Sequence, residues 1–277
     1  MRRNSKLPLV SVTIPTRNSE DVIGACLASV KNQSYSNIET LVVDSKSTDQ
    51  TKDIIGSFGA KFISYEGKLL GARYEGFLSS QADFILLLDS DQILEPKAVE
   101  RALPMMNDYD MLVLEEFAYK PRSFFEKLYE ADRRLIHLQP NFDPLEGNLL
   151  PRFFKREILE KAFRAIPREI IPVVIHHDHA IIYFEAHKVS SKVGILPASV
   201  YHREHGLIKT WRINFRYGRS LQELFKDGYY RKLVRGRDKG FREGIFKFKD
   251  LWVRSFVLLL FTKMAQRAGY LSGRLKW

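Results

Sequence analysis

Two aspartates, Asp89 and Asp91, stand directly after a run of five apolar residues, 84–88. A short apolar run that stops abruptly is typical of a strand buried on both faces, as in a parallel sheet. Ligands of open α/β sheets bind at the carboxyl ends of such strands, and residues two apart on an extended chain point the same way. Two carboxylates on one side repel each other and favour a hard divalent cation, so the pair predicts a Mg²⁺ or Mn²⁺ site with open positions for a substrate diphosphate. The same residues also fit a solvated turn in which an aspartate caps a helix.

The elements that must place these aspartates alternate between strands and helices. Helix starts are predicted at Ser19 as N-cap, at a capping box of Ser47 and Gln50, and at a second capping box of Ser123 and Glu126. Such alternation predicts βαβ units, an α/β fold and a parallel sheet. The predicted strands are residues 10–14, 38–43, 60–65, 83–88 and 111–114, and further helices are predicted at 69–80 and after Pro96.

Positive charge is concentrated at the end of the chain. The 277 residues carry a net charge of +11. Residues 201–277 hold 19 Lys and Arg against 6 Asp and Glu, whereas residues 1–200 hold 25 against 27. This asymmetry predicts an anionic partner, either nucleic acid or an acidic membrane face. The single cysteine, Cys26, excludes an intramolecular disulfide, fits a reducing compartment and is expected in the core.

One apolar segment in the basic region, residues 251–261, is strongly hydrophobic but interrupted by Arg254. A bilayer-spanning helix needs about 20 apolar residues, so this segment is too short to cross a membrane. Two interpretations stay open: a helix lying in the membrane interface, with Trp252 as an anchor, or a helix packed on the core. The basic start, residues 1–3, has no apolar stretch before Pro8, so no secretory signal is expected.

Four segments, in this order, resemble the family 2 glycosyltransferases, which are inverting enzymes with the GT-A fold. They are residues 10–18 (VSVTIPTRN), 42–49 (VVDSKSTD), 71–76 (GARYEG) and 89–91 (DSD), and the resemblance extends over about residues 8–220. It implies a Rossmann-like mixed, mainly parallel sheet flanked by helices. It also implies a catalytic domain at 1–206, followed by a basic, amphipathic helical region at 207–277.

The resemblance also assigns the site residues. Asp178, in the segment His177-Asp178-His179, is implied as the general base, with His177 where the family commonly has Glu. Ser45 replaces the more usual second acid, which leaves uridine and guanosine donors both open. The implied metal ligands are Asp89, Asp91 and His202, with His205 in reserve, and the implied donor-binding residues are Pro15, Thr16, Arg17, Asp44, Arg73, Asp89 and Ser90.

The predicted function is a metal-dependent inverting glycosyltransferase, using Mn²⁺ or Mg²⁺ and a UDP- or GDP-linked sugar. Its expected acceptor is lipid-linked or a polysaccharide, and its expected location is cytoplasmic, attached peripherally to an anionic membrane face, without nucleic acid as a partner. Other interpretations of the same residues are a sugar nucleotidyltransferase, a basic nucleic-acid-binding protein and a membrane scaffold that has lost catalysis. A structural zinc site in the histidine cluster is a further possibility, but the cluster lacks a standard spacing and a cysteine ligand.

Overall fold

A single eight-stranded sheet forms the centre of the protein in a computed structural model, which describes residues 7–138, 140–226, 228–239 and 248–274. Residues 1–3, on which the expectation about a secretory signal rests, lie outside these ranges. The order of the strands across the sheet is β3-β2-β1-β4-β7-β6-β8-β5. The strands are β1 Val10–Thr16, β2 Ile38–Asp44, β3 Lys61–Ser64, β4 Phe84–Leu87, β5 Gln92–Leu94, β6 Met111–Ala118, β7 Phe153–Lys155 and β8 Val193–His202.

The strand directions give a mixed, mainly parallel sheet. Strands β1 to β4 are parallel to one another, and β6 is parallel to β8. Strand β7 runs antiparallel between β4 and β6, and β5 pairs antiparallel with β8 at the edge. Since Thr16 pairs with Asp44 and Thr13 pairs with Leu87, the carboxyl ends of three parallel strands meet at one edge of the sheet. The predicted fold class is confirmed.

Helices flank the sheet, and one predicted start is confirmed while two are wrong. Ser123 Oγ accepts from the Glu126 amide at 3.2 Å, and Glu126 Oε2 accepts from the Ser123 amide at 3.1 Å, which is the predicted capping box. The first helix begins at Ile23 rather than after Ser19. The carbonyl of Ser19 accepts hydrogen bonds from the amides of Val22 and Ile23 in the turn before the helix. Ser47 does not cap the second helix, because its hydroxyl donates to Asp44. The helices are α1 Ile23–Lys31, α2 Thr51–Ser57, α3 Leu69–Ser79, α4 Ala98–Met105, α5 Phe124–Leu138, α6 Arg156–Ala165, α7 Asp178–Val189, α8 Leu207–Lys226, α9 Arg231–Lys239 and α10 Lys249–Arg274.

Apolar side chains cover both faces of the sheet. On one face Val12 and Ile14 of β1 pack with Cys26 and Leu27 of α1. On the other face Leu87 of β4 packs with side chains of α3, α6 and α7. Burial on both faces explains why β4 is a continuous apolar run rather than an alternating one. Cys26 is fully buried, as expected.

The C-terminal helices pack against the rest of the protein. Phe125 and Leu128 of α5 form an apolar cluster with Leu258 of α10. Helices α8 and α10 approach so closely that a Cβ on Gly269 would lie 1.9 Å from the carbonyl oxygen of Phe215. Within the described ranges, no helix combines the length and the apolar character that crossing a membrane requires. The division of the chain at residue 206 stays a prediction.

Candidate active site

A cavity of about 590 Å³ opens where the carboxyl ends of β1 and β4 meet. This volume is in the range of small-molecule binding sites. Helices α5, α8 and α10 close its other side through residues that include Arg133, Tyr217 and Leu259. The sequence-predicted residues in its wall are Pro15, Thr16, Arg17, Arg73, Asp89, Ser90, Asp91, Asp178, His202 and the reserve His205.

The loops after β1 and β2 are joined by hydrogen bonds. The Asn18 amide donates to Ser47 Oγ at 2.8 Å, and Asn18 Oδ1 accepts from the Thr48 amide at 2.9 Å. The carboxylate of Asp44 accepts from both the amide and the hydroxyl of Ser47 and is 3% exposed. Asp44 therefore holds the loop whose Ser45 lines the cavity, and it does not face a ligand as predicted.

Asp89 is held between two arginines. One carboxylate oxygen accepts from Arg73 Nη2 at 2.5 Å, and the other accepts from Arg152 Nη1 at 2.8 Å. Burial works to raise the pKa of Asp89, but the charges of Arg152 and Arg73 outweigh it and hold that pKa well below its usual value. Asp89 is thus the counter-ion of Arg73 and Arg152 in this structure, and its role as a metal ligand stays a prediction. Its neighbour Ser90 contacts the β1 loop through Ser19, with 3.2 Å between the two hydroxyl oxygens.

Asp178 is the first residue of α7 and points into the cavity. Its Oδ2 accepts from Arg73 Nε at 2.5 Å, while Oδ1 has no hydrogen-bond partner among the described residues. Burial favours the neutral acid, but the charge of Arg73 outweighs it and lowers the pKa of Asp178, so the group is ionised at neutral pH. His177 before it adopts a left-handed conformation, with φ of 68°, which turns the chain into the helix.

Arg73 connects the two aspartates and is itself 1% exposed. Two of its nitrogens are engaged, by Asp89 and Asp178, and only Nη1 has no partner in the described part of the chain. The predicted contact of Arg73 with a donor phosphate is thus limited to that one nitrogen. Its main role in this structure is to neutralise two buried carboxylates.

Asp91 faces two imidazoles in the same cavity. Its Oδ1 lies 3.4 Å from His202 Nε2, and its Oδ2 lies 3.3 Å from His205 Nε2. The antiparallel pairing of β5 with β8 places Gln92 opposite His202 and so brings these residues together. Burial works to raise the pKa of Asp91, but the charge of His202 and the hydrogen bond from His205 outweigh it and lower that pKa.

A buried network of charges behind His202 was not predicted from the sequence. Glu204, 3% exposed at its side chain, lies 3.4 Å from His202 Nδ1 and also accepts from Arg133. Arg133 in turn pairs with Glu116, which accepts from Arg152 Nε at 3.0 Å. These residues come from α5, β6, the position before β7 and the segment after β8, and no local sequence pattern links them.

Two aromatic contacts complete the cavity. The Tyr217 ring stacks on His176, with 4.5 Å between the ring centroids. Burial and the nearby charges of Asp178 and Asp89 raise the pKa of Tyr217, so its hydroxyl stays protonated and can donate a hydrogen bond. His179 Nε2 contacts Arg152 Nη1 at 2.5 Å, and burial together with the arginine charges lowers the pKa of His179 to about 4, which keeps the ring neutral.

The sequence matches a known family over the part of the chain that forms β1 to β7. A family model described as glycosyl transferase family 2 matches residues 11–171, more than half of the chain. The chain belongs to glycosyl transferase family 2. Membership confirms the resemblance seen in the sequence and places the protein among enzymes that transfer glycosyl groups from nucleotide-sugars.

Three relatives of this family 2 transferase illustrate the similarity. A glycosyltransferase of Haemophilus influenzae is 33% identical over 248 residues, which is 81% of this chain and 94% of that protein. EpsH of Bacillus subtilis is 26% identical over 209 residues, and the match spans only 60% of its length. An Escherichia coli protein, 35% identical over 103 residues, matches 35% of this chain and 41% of its own; it is named UDP-Glc:alpha-D-GlcNAc-diphosphoundecaprenol beta-1,3-glucosyltransferase WfgD.

Solved structures share the fold of the transferase at low sequence identity. S. aureus TarS 1-349 in complex with UDP-GlcNAc superposes with a TM-score of 0.55 at 17% identity, covering 95% of this chain and 89% of that one. Glucosyl-3-phosphoglycerate synthase from Mycobacterium tuberculosis, in complex with Mn²⁺, UDP-glucose and phosphoglyceric acid, gives a TM-score of 0.54 at 17% identity and covers 78% and 79% of the two chains. Both likenesses concern the fold alone.

The side chains around Asp91 are of the types that bind a divalent metal ion. Each oxygen of the Asp91 carboxylate has one imidazole nearby, and such oxygen and nitrogen ligands suit Mn²⁺. Within the described residues, no three His, Cys, Asp or Glu side chains form a complete metal cluster. A cation at this place would therefore need further ligands from a substrate, as diphosphates provide.

Proposed function

We propose that this protein is a metal-dependent inverting glycosyltransferase that moves a sugar from a UDP-linked donor to an acceptor hydroxyl. The observation that carries the proposal is the arrangement of two ionised carboxylates in one cavity. Asp178 keeps one free oxygen, Asp91 faces two imidazoles, and both residues line the cavity. Such a pair separates the two tasks of the reaction, which are to activate the acceptor and to neutralise the leaving diphosphate.

Asp178 is proposed as the general base. Its Oδ2 is held by Arg73, so the carboxylate cannot rotate freely, and Oδ1 is left to receive the proton of the acceptor hydroxyl. As that proton leaves, the hydroxyl oxygen attacks the anomeric carbon from the face opposite the nucleotide, and the bond to the diphosphate breaks. This direction of attack inverts the configuration of the sugar.

Asp91, with His202 or His205, is proposed to hold Mn²⁺ or Mg²⁺. When bound, the ion supplies positive charge to the diphosphate of the donor. The Glu204 carboxylate lies 3.4 Å from His202 Nδ1, and Nε2 of the same ring lies 3.4 Å from Asp91, so the negative charge of Glu204 favours this orientation of the ring. Asp89 is not proposed as a ligand, because Arg73 and Arg152 occupy its oxygens.

The donor nucleotide is proposed to bind along the β1 loop. Pro15, Thr16 and Arg17 line the cavity there, opposite Ser90. Thr16 Oγ1 is buried and has no hydrogen-bond partner among the described residues, so it is ready to bind a ligand. UDP is favoured over GDP because both solved structures described above contain uridine nucleotides.

The acceptor is proposed to be a lipid-linked or polysaccharide glycan at the cytoplasmic face of a membrane. Support comes from the name of the WfgD relative, which specifies a diphosphoundecaprenol acceptor. The exposed guanidinium of Arg216 in the cavity wall fits an anionic acceptor of this kind.

Thermal unfolding with nucleotides tests the proposal. UDP, GDP and CDP are each added with and without Mn²⁺, and a ligand present at 100 times its Kd stabilises the folded state by about 2.7 kcal/mol. We expect a Mn²⁺-dependent rise in Tm with UDP that is lost in Asp91→Asn. The matched control Asp108→Asn, an exposed aspartate after α4 and outside the cavity wall, should behave as wild type. If no nucleotide raises Tm with or without the metal, the proposed function is wrong.

A further inference from the structure

Helix α10 has an apolar face that nothing in the described part of the chain covers. Its side chains recur every three or four residues and are 42–54% exposed. Apolar residues on the other face of the helix are buried, with Leu258 at 4% and Ala265 at 0%. A helix that is apolar on two faces needs apolar neighbours on both, and among the described residues α5 and α8 pack on the buried face. We call the uncovered set the α10 stripe: Val253, Phe256, Val257, Leu260 and Met264.

The position of the α10 stripe is fixed by tight packing behind it. Gly218 of α8 would place a Cβ 1.9 Å from the carbonyl oxygen of Gln266, and Gly269 of α10 meets Phe215 in the same way. Phe261 packs edge to face on Trp211 at 5.4 Å and on Phe125 at 5.1 Å. The helix therefore cannot turn its exposed apolar side chains inward.

Positive charge accompanies the α10 stripe. Lys249, Arg254 and Arg267 on the same helix are exposed, and Asp250 is the single acidic residue between positions 249 and 274. Trp252 stacks on Phe256, with 5.5 Å between ring centroids. Apolar side chains next to lysine, arginine and tryptophan match the interface of an anionic bilayer, where acyl chains lie beneath negative headgroups.

We propose that the α10 stripe lies in the interface of an anionic lipid bilayer and holds the cavity against the membrane surface. Leu258, Leu259 and Thr262 of the same helix line the cavity, and Leu259 is also 40% exposed. An acceptor carried on a lipid would thus reach Asp178 without leaving the bilayer. This inference rests on the proposed function, since it concerns the route of the acceptor to the site.

The charge of the helix disfavours a second copy of the chain as the occupant. A two-fold interface would pair the α10 stripe with itself and bring the Lys and Arg side chains of both copies together. Like charges at a desolvated interface repel each other, whereas anionic headgroups attract them.

Vesicle flotation of the full chain tests the proposal. Vesicles of phosphatidylglycerol mixed with phosphatidylcholine are compared with pure phosphatidylcholine, and we expect binding to the anionic vesicles that weakens with salt. Leu260→Ser should reduce the partition coefficient about tenfold, since it removes one apolar side chain from the interface. Leu260→Trp should retain or strengthen binding. Leu78→Ser on α3 is the matched control, because Leu78 and Leu260 are both 53% exposed, and it should bind as wild type.

Separate readouts distinguish this inference from the proposed function. Neither Leu78 nor Leu260 lines the cavity, so all three variants should keep the UDP-dependent rise in Tm, which also shows that they fold. Two outcomes would refute membrane binding by the α10 stripe while the proposed function stands. In one, the wild-type protein binds UDP but does not float; in the other, Leu260→Ser and wild type float equally. Self-association that is lost in Leu260→Ser, without flotation of the wild type, would overturn it in favour of a second copy. Flotation without any nucleotide effect would instead overturn the proposed function.

Discussion

Replacing Glu116 by Gln should destabilise the fold by about 3 kcal/mol at neutral pH. The Glu116 carboxylate, 14% exposed, accepts from Arg152 and from Arg133. Burial works to raise its pKa, but the two arginine charges outweigh it and lower the pKa of Glu116 from the ordinary 4.5 to about 2. At 1.36 kcal/mol per pH unit, this difference corresponds to about 3 kcal/mol of stabilisation, which Gln cannot supply because it carries no charge.

The stabilisation that Glu116 provides should depend on pH. Because the folded pKa of Glu116 lies below the unfolded one, the stabilisation is fully present above pH 4.5 and is lost as the pH falls toward 2. Urea unfolding followed by tryptophan fluorescence should show Glu116→Gln less stable than wild type at pH 7, with the two free energies converging at low pH. Glu160→Gln removes an exposed pair with Arg164 and should change the free energy of unfolding by less than about 1 kcal/mol. Equal stability of Glu116→Gln and wild type at pH 7, or a gap that persists at low pH, would refute the reasoning.

Three further predictions concern the cavity. Asp178→Asn should slow glycosyl transfer roughly 10²- to 10⁴-fold while the Kd for UDP, measured calorimetrically, stays unchanged, because only the proton acceptor is lost; normal transfer would place the base elsewhere. Asp91→Asn should abolish the Mn²⁺-dependent part of donor turnover, and a full response of this variant to Mn²⁺ would remove Asp91 from the metal site. Glu204→Gln should weaken Mn²⁺ binding in the presence of UDP roughly 10- to 100-fold by paramagnetic resonance, since His202 loses the charge that orients it; unchanged affinity would make Glu204 purely structural.

Much of the fold could be predicted because its signals are local. The run before Asp89 marks a buried strand whether or not the rest of the sheet is known, and β4 does form there. Two helix starts were wrong because other hydrogen-bond partners engage the two serines. Ser47 has the residue type of an N-cap, but its hydroxyl donates instead to Asp44, and the Ser19 amide donates to Thr51 across the neighbouring loop. Competition between such partners depends on how the two loops meet in space.

Most residues that the sequence predicts for the site line the cavity, but their partners could not be predicted. Asp91 and Asp178 stand in segments that resemble the family, and both line the cavity. Arg152 contacts Asp89 although 63 positions separate them in the sequence. The contact forms because β7, which follows Arg152, pairs antiparallel with β4, which precedes Asp89. A long-range arrangement of this kind leaves no periodicity or spacing in the sequence, so the pairing of Asp89 with Arg152 could not be predicted before the structure was known.

The arginines explain how three aspartates can share one cavity. Asp89, Asp91 and Asp178 would repel one another if they were merely desolvated, and one or more would become neutral. Arg73 and Arg152 instead neutralise Asp89 and one oxygen of Asp178, at a position from which water is largely excluded. Asp178 therefore stays ionised and can accept a proton, although pairing with a cation makes it a weaker base. Asp91 has no such arginine partner among the described residues, so it keeps the negative charge that a divalent cation requires.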